Sequence, residues 1–338
     1  MAITINDVAK EAGVSTSTVS KVLNHWTSIS PETTARVNEA IRKLNYTPNA
    51  RAVSFARGST LNILFLSTLA REQAYNNPHM FDILCGAQKE LSVRGYTLML
   101  SDIPPDVSHE NYLETLISQK AVDGIIIHGS AYSPKMVKPL LDSQFPHILI
   151  GHPGSGSRLC WIDTNNKLAG QFAAEHLLEC GYTKTAFVGS KKTDHISTQR
   201  LTGFLSGMYD YGYRIPEEYI SYTDSSIEES QKAVQSLLSL PEPPCALVCE
   251  NNTISLGAVR AISESRLKIP EDIALLTFDR YPYSNIISPT PTIIDIDVYD
   301  LGVQAATMLL RKIENPSLLV QSYTTLPVLK QGLTTLNK

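Results

Sequence analysis

The sequence predicts a small all-α N-terminal unit followed by an α/β body of two lobes, each built on a doubly wound parallel sheet. Three observations carry this. Apolar positions within residues 3–44 recur at helical spacing in three short stretches. From residue 61 onward, short apolar runs alternate with amphipathic stretches of 10–18 residues, as parallel sheets covered on both faces require. The charge is also divided: residues 1–60 carry seven Lys/Arg against four Asp/Glu, and the remainder carries 22 against 29. A basic module on an acidic body points to a polyanionic partner for the module alone; an ordinary solvated surface is the plainer alternative.

A chain of 338 residues, 43% hydrophobic and 18% charged, is long enough for two or three domains with buried cores. Apolar runs such as Ile125-Ile126-Ile127 are too short to cross a bilayer. "MAITINDVAK" contains acids and no apolar core of a secretory signal, so a cytoplasmic protein with no membrane partner is expected. Five scattered cysteines, an odd number, suit reduced and buried thiols better than a disulfide framework.

Helix one is marked by Ile5, Val8, Ala9 and Ala12, with Thr4 as cap and Asp7 in the first turn, where the helix dipole favours an anion. Gly13 breaks it, and Ser15 caps a second helix whose inward stripe is Val19, Val22 and Leu23. The run "VSTSTVSKVLN" places Ser17, Ser20, Lys21 and Asn24 on the other face, with Thr16 at its start. Two short helices joined by a Gly-containing turn form a helix-turn-helix, whose second helix enters the major groove of DNA. Short hydroxyl and amide side chains let a helix lie close to phosphates and base edges. The DNA-facing set is therefore Thr4, Ser15, Thr16, Ser17, Thr18, Ser20, Lys21 and Asn24. A third helix follows, capped by Ser30, opened by Pro31 and packed through Val37, Ala40, Ile41 and Leu44.

In "YTPNARAVSFARGST" Pro48 stops that helix and Asn49 caps a short helix from Ala50 to Ala56, with Ala52, Phe55 and Ala56 on one face. Such a helix falls below the ~12–15 residues needed for stability alone in water, so a partner must complete it.

"TINDVAKEAGVSTSTVSKVLN" followed by "VNEAIRKLNYTPNA" resembles the headpiece of the lactose-repressor (LacI/GalR) family of bacterial transcription regulators, nearly continuously over residues 3–50. The resemblance implies a homodimer, with a tetramer left open, whose headpieces read a pseudo-palindromic double-stranded operator. Paired hinge helices are then expected to insert a wedge into the minor groove. It places Thr16, Ser17 and Lys21 at base-reading positions and Asn49, Ala52 and Phe55 in the hinge. Most members have a hinge resembling "PNALARSL"; here Arg51 stands for the first Leu, Val53 for the Arg and Phe55 for the wedge Leu. A Phe can still unstack a base step.

In the body the candidate strands are 62–67, 96–101, 123–128, 147–151, 185–189, 245–249 and 273–278. Helices are expected over stretches such as 78–94, 166–180, 197–211, 228–239 and 253–266. Ligands of doubly wound lobes bind beyond the carboxyl ends of the strands. "EHLLECGYTKTAFVG", "QRLTGF", "SLGAVRAI" and "IPEDIALLTFD" resemble the periplasmic-binding-protein-like sensor core of the same family. "STLAREQAYNNPHMF" is longer than the family's corresponding turn, so that part of the pocket mouth is expected to be remodelled.

The resemblance implies a small effector, a sugar or sugar derivative, held by Arg200, Asn251, Asp279, Asn165 and Asp163. Polar partners of this kind fix hydroxyl geometry. The family's "ND" and "FDD" pairs read Asn251-Asn252 and Asp279-Arg280 here, and its "VDN" reads "IDTNN", so Asn and Arg replace typical carboxylates. That favours a more anionic or less hydroxylated ligand than a plain hexose. An Arg or Asp after a strand also serves simply to cap a helix, and Trp161 either stacks on the ligand or packs in the core.

The expected organisation is a headpiece at 1–46, a hinge at 47–60, a first lobe of 61–161 plus about 290–325, and a second lobe of 162–289 plus about 326–338. No cofactor is expected, and catalysis finds little support. The chain has no GxSxG elbow, GxxxxGK[ST] loop, HExxH or CxxC pair. His147 and His152 read as surface residues of a loop, and Cys245 and Cys249 have no His pair to complete a metal site. Two other readings stay open. One is a regulator controlled by a protein partner on the first lobe. The other is an enzyme or transport-type binding protein with an incidental helix-turn-helix.

Overall fold

The computed structural model describes residues 3–23, 26, 28–46, 59–69, 79–154, 156–280, 288–318 and 322–336. Expectations for Asn24, Asn49, Arg51, Ala52, Val53 and Phe55, and for a hinge helix, lie outside the described residues. The chain divides into two compact units, Met1–Leu61 with Lys120–Asp123, and Asn62–Gln119 with Gly124–Lys338.

The first unit contains α1 (Ile5–Ala12), α2 (Thr16–Leu23) and α3 (Pro31–Leu44). Helix α1 begins where the Asp7 carboxylate accepts both the Thr4 N–H and the Thr4 hydroxyl at 2.8 Å. It ends at Gly13, whose φ of 63° is the left-handed conformation glycine adopts freely. Ser15 then caps α2 through its Oγ, which accepts the Thr18 N–H at 3.2 Å. Ser30 caps α3 in the same way, accepting the Thr33 N–H at 3.3 Å. Val8, Ala9, Ala12, Val19, Val22, Val37 and Ala40 form the core of this unit.

The second unit holds two six-stranded sheets. In the first lobe, β1 (Asn62–Leu66), β2 (Thr97–Ser101), β3 (Gly124–His128), β4 (His147–Ile150) and β5 (Trp161–Thr164) are joined by α4 (His79–Val93), α5 (His109–Ser118) and α6 (Val137–Asp142). The second lobe runs α7 (Asn166–Glu179), β6 (Thr185–Gly189), α8 (His195–Asp210), β7 (Ile220–Tyr222), α9 (Ile227–Leu238), β8 (Ala246–Cys249), α10 (Asn252–Glu264), β9 (Ala274–Phe278) and β10 (Thr292–Asp295). The chain then returns to the first lobe with α11 (Val298–Glu314) and β11 (Ser322–Thr325), and ends in the second with β12 (Val328–Lys330).

The strand orders are β11-β5-β4-β3-β1-β2 and β12-β10-β9-β8-β6-β7. Every pairing is parallel except β10 with β12. Central strands are buried on both faces, as in β6 and β9, every residue of which is buried.

Three crossings join the lobes, after Thr164, Asp295 and Thr325. They lie three residues, about six residues and no residues from the expected lobe boundaries. Trp161 and Ile162 stay in the first sheet because β5 pairs with both β4 and β11. Thr292–Asp295 stays in the second because β10 pairs with β9. The expectation of surface positions fails for His147, which is 3% exposed in β4. Its Nδ1 lies 2.7 Å from the Phe145 carbonyl and its Nε2 accepts the Cys160 N–H at 3.2 Å, so both ring nitrogens are used internally.

Candidate DNA-reading surface and ligand cleft

On α2, Val19 and Val22 face the core, while Thr16, Ser17 and Lys21 are exposed. Ser15, Ser17 and Thr18 share hydroxyl contacts of 2.8 and 2.9 Å, so this face presents pre-oriented short polar groups. Ser20 is half-buried on the same helix, and Thr4 is exposed ahead of α1. The Lys21 ammonium lies 5.7 Å from the centre of the Trp26 ring, an exposed indole the motif reading did not single out.

The second site is built at the carboxyl ends of β5, β6, β8 and β9. Its centre is Arg200 on α8, 3% exposed. Arg200 Nε donates to Asn166 Oδ1 at 3.0 Å, Nη1 to the Glu250 carbonyl at 2.6 Å, and Nη2 to Asp279 Oδ1 at 3.2 Å. The guanidinium also lies over the Phe278 ring, 4.4 Å from its centre. Asp279 directly follows β9 with φ of 71°, and across the cleft His79 Nε2 of α4 lies 3.7 Å from its Oδ2. Beside this pair opens a cavity of about 200 Å³ lined by His79, Asp82, Asp279, Arg280, residues 295–299 and Lys330.

The other candidates separate by what their side chains do. Asn165 and Asn251 are caps: their Oδ1 atoms accept the N–H of Leu168 and Ile254, each at 3.0 Å, at the starts of α7 and α10. The Asn251 amide also donates to Ser225 Oγ at 3.3 Å. Asp163 follows Trp161 on β5 and accepts the Thr164 N–H at 2.8 Å. Burial raises its pKa, an effect opposed by that hydrogen bond, by Arg200 and by His152.

Trp161 is half-buried, with its ring edge-on to His152 at 4.8 Å. His152, read from the sequence as a surface residue, is half-buried and stacks on His195 of the second lobe at 4.1 Å. Burial, then the charge of His195, lowers the His152 pKa, while Asp163 acts to raise it.

Sequence reasoning missed Asn166, Glu250, His79 and His195. Of these two carried a signal: Asn166 directly follows Asn165, and Glu250 directly precedes Asn251 at a strand end. Its carboxylate is 4% exposed and accepts the Ser190 N–H at 2.5 Å. Among the described residues no group of three or more His, Cys, Asp or Glu could hold a metal ion. All five cysteines are free. No helix among the described residues is long and apolar enough to cross a membrane.

These two sites have counterparts in known proteins. The profile described as "Bacterial regulatory proteins, lacI family" matches residues 4–49, and a "Periplasmic binding protein-like domain" matches residues 174–335. The HTH-type transcriptional repressor PurR of Actinobacillus pleuropneumoniae serotype 3 (strain JL03) is 30% identical over 312 residues, covering 92% of this chain and 91% of the relative. PurR of Haemophilus influenzae (strain PittEE) is 29% identical over 326 residues, covering 96% and 95%.

Among solved structures, the lac repressor dimer bound to operator and the anti-inducer ONPF superposes with a TM-score of 0.82 at 23% identity, covering 99% of this chain and 100% of that one. The transcriptional regulator CelR–cellobiose complex gives 0.72 at 23%, covering 98% and 99%. A LacI family regulator from Enterococcus faecium with bound ribose gives 0.68 at 22%, covering 82% and 99%. The chain therefore belongs to the lacI family of bacterial regulatory proteins, DNA-binding transcriptional repressors and not enzymes.

Proposed function

We propose that this repressor reads a pseudo-palindromic operator as a homodimer and that a small polar effector, a sugar or sugar derivative, sets its operator affinity from the cleft between the lobes. The observation that carries the effector reading is the buried Arg200–Asp279 pair at the strand ends, faced by His79 from the opposite lobe. A ligand entering there meets fixed donors and acceptors from both lobes and so has different affinities for their open and closed arrangements. That difference is what a population shift requires. The sugars in the CelR and Enterococcus faecium structures support the same ligand class.

On the headpiece, Thr16, Ser17 and Lys21 read base edges, and the neighbouring hydroxyls hold phosphates. The dimer reading is supported by the apolar side chains left exposed on the first lobe, Met99 and Leu100 on the edge strand β2 and Phe81 on α4.

The test is operator affinity of the purified chain with and without each member of a panel of sugars and sugar phosphates, with Trp161 fluorescence as a parallel readout. One member should shift operator affinity severalfold, and Asp163→Asn should reduce that shift while leaving effector-free affinity within about threefold, since binding and coupling are separate free energies. If no panel member alters either signal, the effector reading fails.

A further inference from the structure

We infer that Asp123 is a positioning residue for operator binding, the clasp that fixes how residues 59–61 enter the first strand. Its carboxylate accepts four hydrogen bonds from three consecutive residues. Ser59 Oγ donates to Oδ2 at 2.5 Å and Leu61 N–H to Oδ2 at 2.9 Å. Thr60 N–H and Thr60 Oγ1 donate to Oδ1 at 2.7 and 2.9 Å. A carboxylate has about four acceptor positions, so this one is saturated by the end of the linker.

The backbone it holds is unusual. Leu61 has φ of 53°, the left-handed region that a non-glycine residue keeps only where its surroundings over-determine it. Here the over-determination is visible, because the Leu61 N–H is one of the four donors. Asp123 immediately precedes Gly124, the first residue of β3, and Leu61 immediately precedes Asn62, the first residue of β1. Those strands pair in parallel through Ile63 and Gly124. The carboxylate thus ties the chain entering one strand to the chain entering its neighbour.

Without the clasp Leu61 relaxes to negative φ, and residues 59–61 lose their fixed path into β1. Specific binding needs the headpiece in a narrow set of orientations, and apparent affinity falls with the fraction of molecules in a competent state. Binding to arbitrary DNA makes no such demand, being set by phosphate charge. The inference stands without the effector reading, since it concerns binding of DNA by the effector-free chain.

The experiment uses the full chain, a duplex selected by it from a randomised pool, and an unselected duplex as reference. Asp123→Asn keeps the shape but replaces an acceptor oxygen with an amide donor facing other donors. Affinity for the selected duplex is expected to fall about tenfold if a tenth of the molecules stay competent. Affinity for the unselected duplex and the thermal melting of the body should stay as in the parent. Trypsin cleavage at Arg51 and Arg57, within the linker, should accelerate in the DNA-free protein.

Ser59→Ala with Thr60→Val removes two donors from the other side and should act in the same direction, which keeps the test intact if Asp123→Asn disturbs folding. Unchanged selected-duplex affinity and unchanged cleavage in either variant overturn the inference. Equal losses on both duplexes, accompanied by earlier melting, do the same.

Discussion

Burying a guanidinium requires an acceptor for its charge and its N–H groups, and Arg200 meets three acceptors from three separate segments. Removing it strands the Asp279 carboxylate, 6% exposed, without its guanidinium partner. Arg200→Ala should therefore cost about 3–5 kcal/mol, the usual penalty for breaking a buried pair. Arg200→Lys should fall between Ala and the parent, because an ammonium restores charge without the fork. Urea unfolding midpoints of the three proteins measure this, and an alanine variant as stable as the parent would show the pair to be dispensable for folding. Arg200 and Asp279 stood out in the sequence because they lie in recognisable strand-end and helix segments. Asn166, Glu250 and His79 did not, since they become neighbours only through the fold. Asn165 and Asn251 show the opposite ambiguity: an Asn between strand and helix looks the same in sequence whether its oxygen caps the helix or faces a ligand, and here both cap.

At the scale of elements, Arg200 is held in place by how closely α7 and α8 approach. A Cβ on Gly203 would lie 1.8 Å from the Lys167 carbonyl oxygen, and one on Gly170 would lie 2.0 Å from that of Arg200. Neither backbone can yield by a small side-chain shift, so glycine is required at both positions. Gly203→Ala must push the helices apart, and overpacking of this kind costs about 1–3 kcal/mol. Because Arg200 sits on α8 one turn before Gly203, the same variant should also weaken any effector response. Thermal melting and the effector titration on one preparation test both; full stability with alanine would contradict the close approach. The elements themselves were unevenly legible. The seven expected strands fall within about a residue of their observed bounds; in six of them four or five consecutive buried residues leave a clear apolar pattern, while β2 is legible from its apolar residues although they are partly exposed. β7 and β12, each of three residues, and β11, with exposed positions, carry too little pattern to separate from loop.

At the scale of the whole body, three crossings leave the lobes free to differ in their separation, so contacts across the cleft decide which arrangement is favoured. One such contact is titratable. His152 of the first lobe lies face to face with His195 of the second at 4.1 Å, with Asp163 as the other charged group acting on it. Burial disfavours the charged form of His152, and a charged His195 at that distance adds repulsion, so His152 has a lowered pKa while the lobes touch. When they part, it returns towards its ordinary value of 6.5. The closed arrangement then binds fewer protons than the open one. Its advantage from this contact is complete above the ordinary value and is lost as pH falls through it towards the lowered value. His195→Phe keeps a stacking ring and removes the charge that acts on His152. If an effector binds the closed arrangement, its affinity for the parent should decline more steeply from about pH 8 to about pH 5.5 than its affinity for the variant, in which one repelling charge is gone. Isothermal titration at several pH values gives both curves; superimposable slopes would remove the His152–His195 contact from the control of lobe closure.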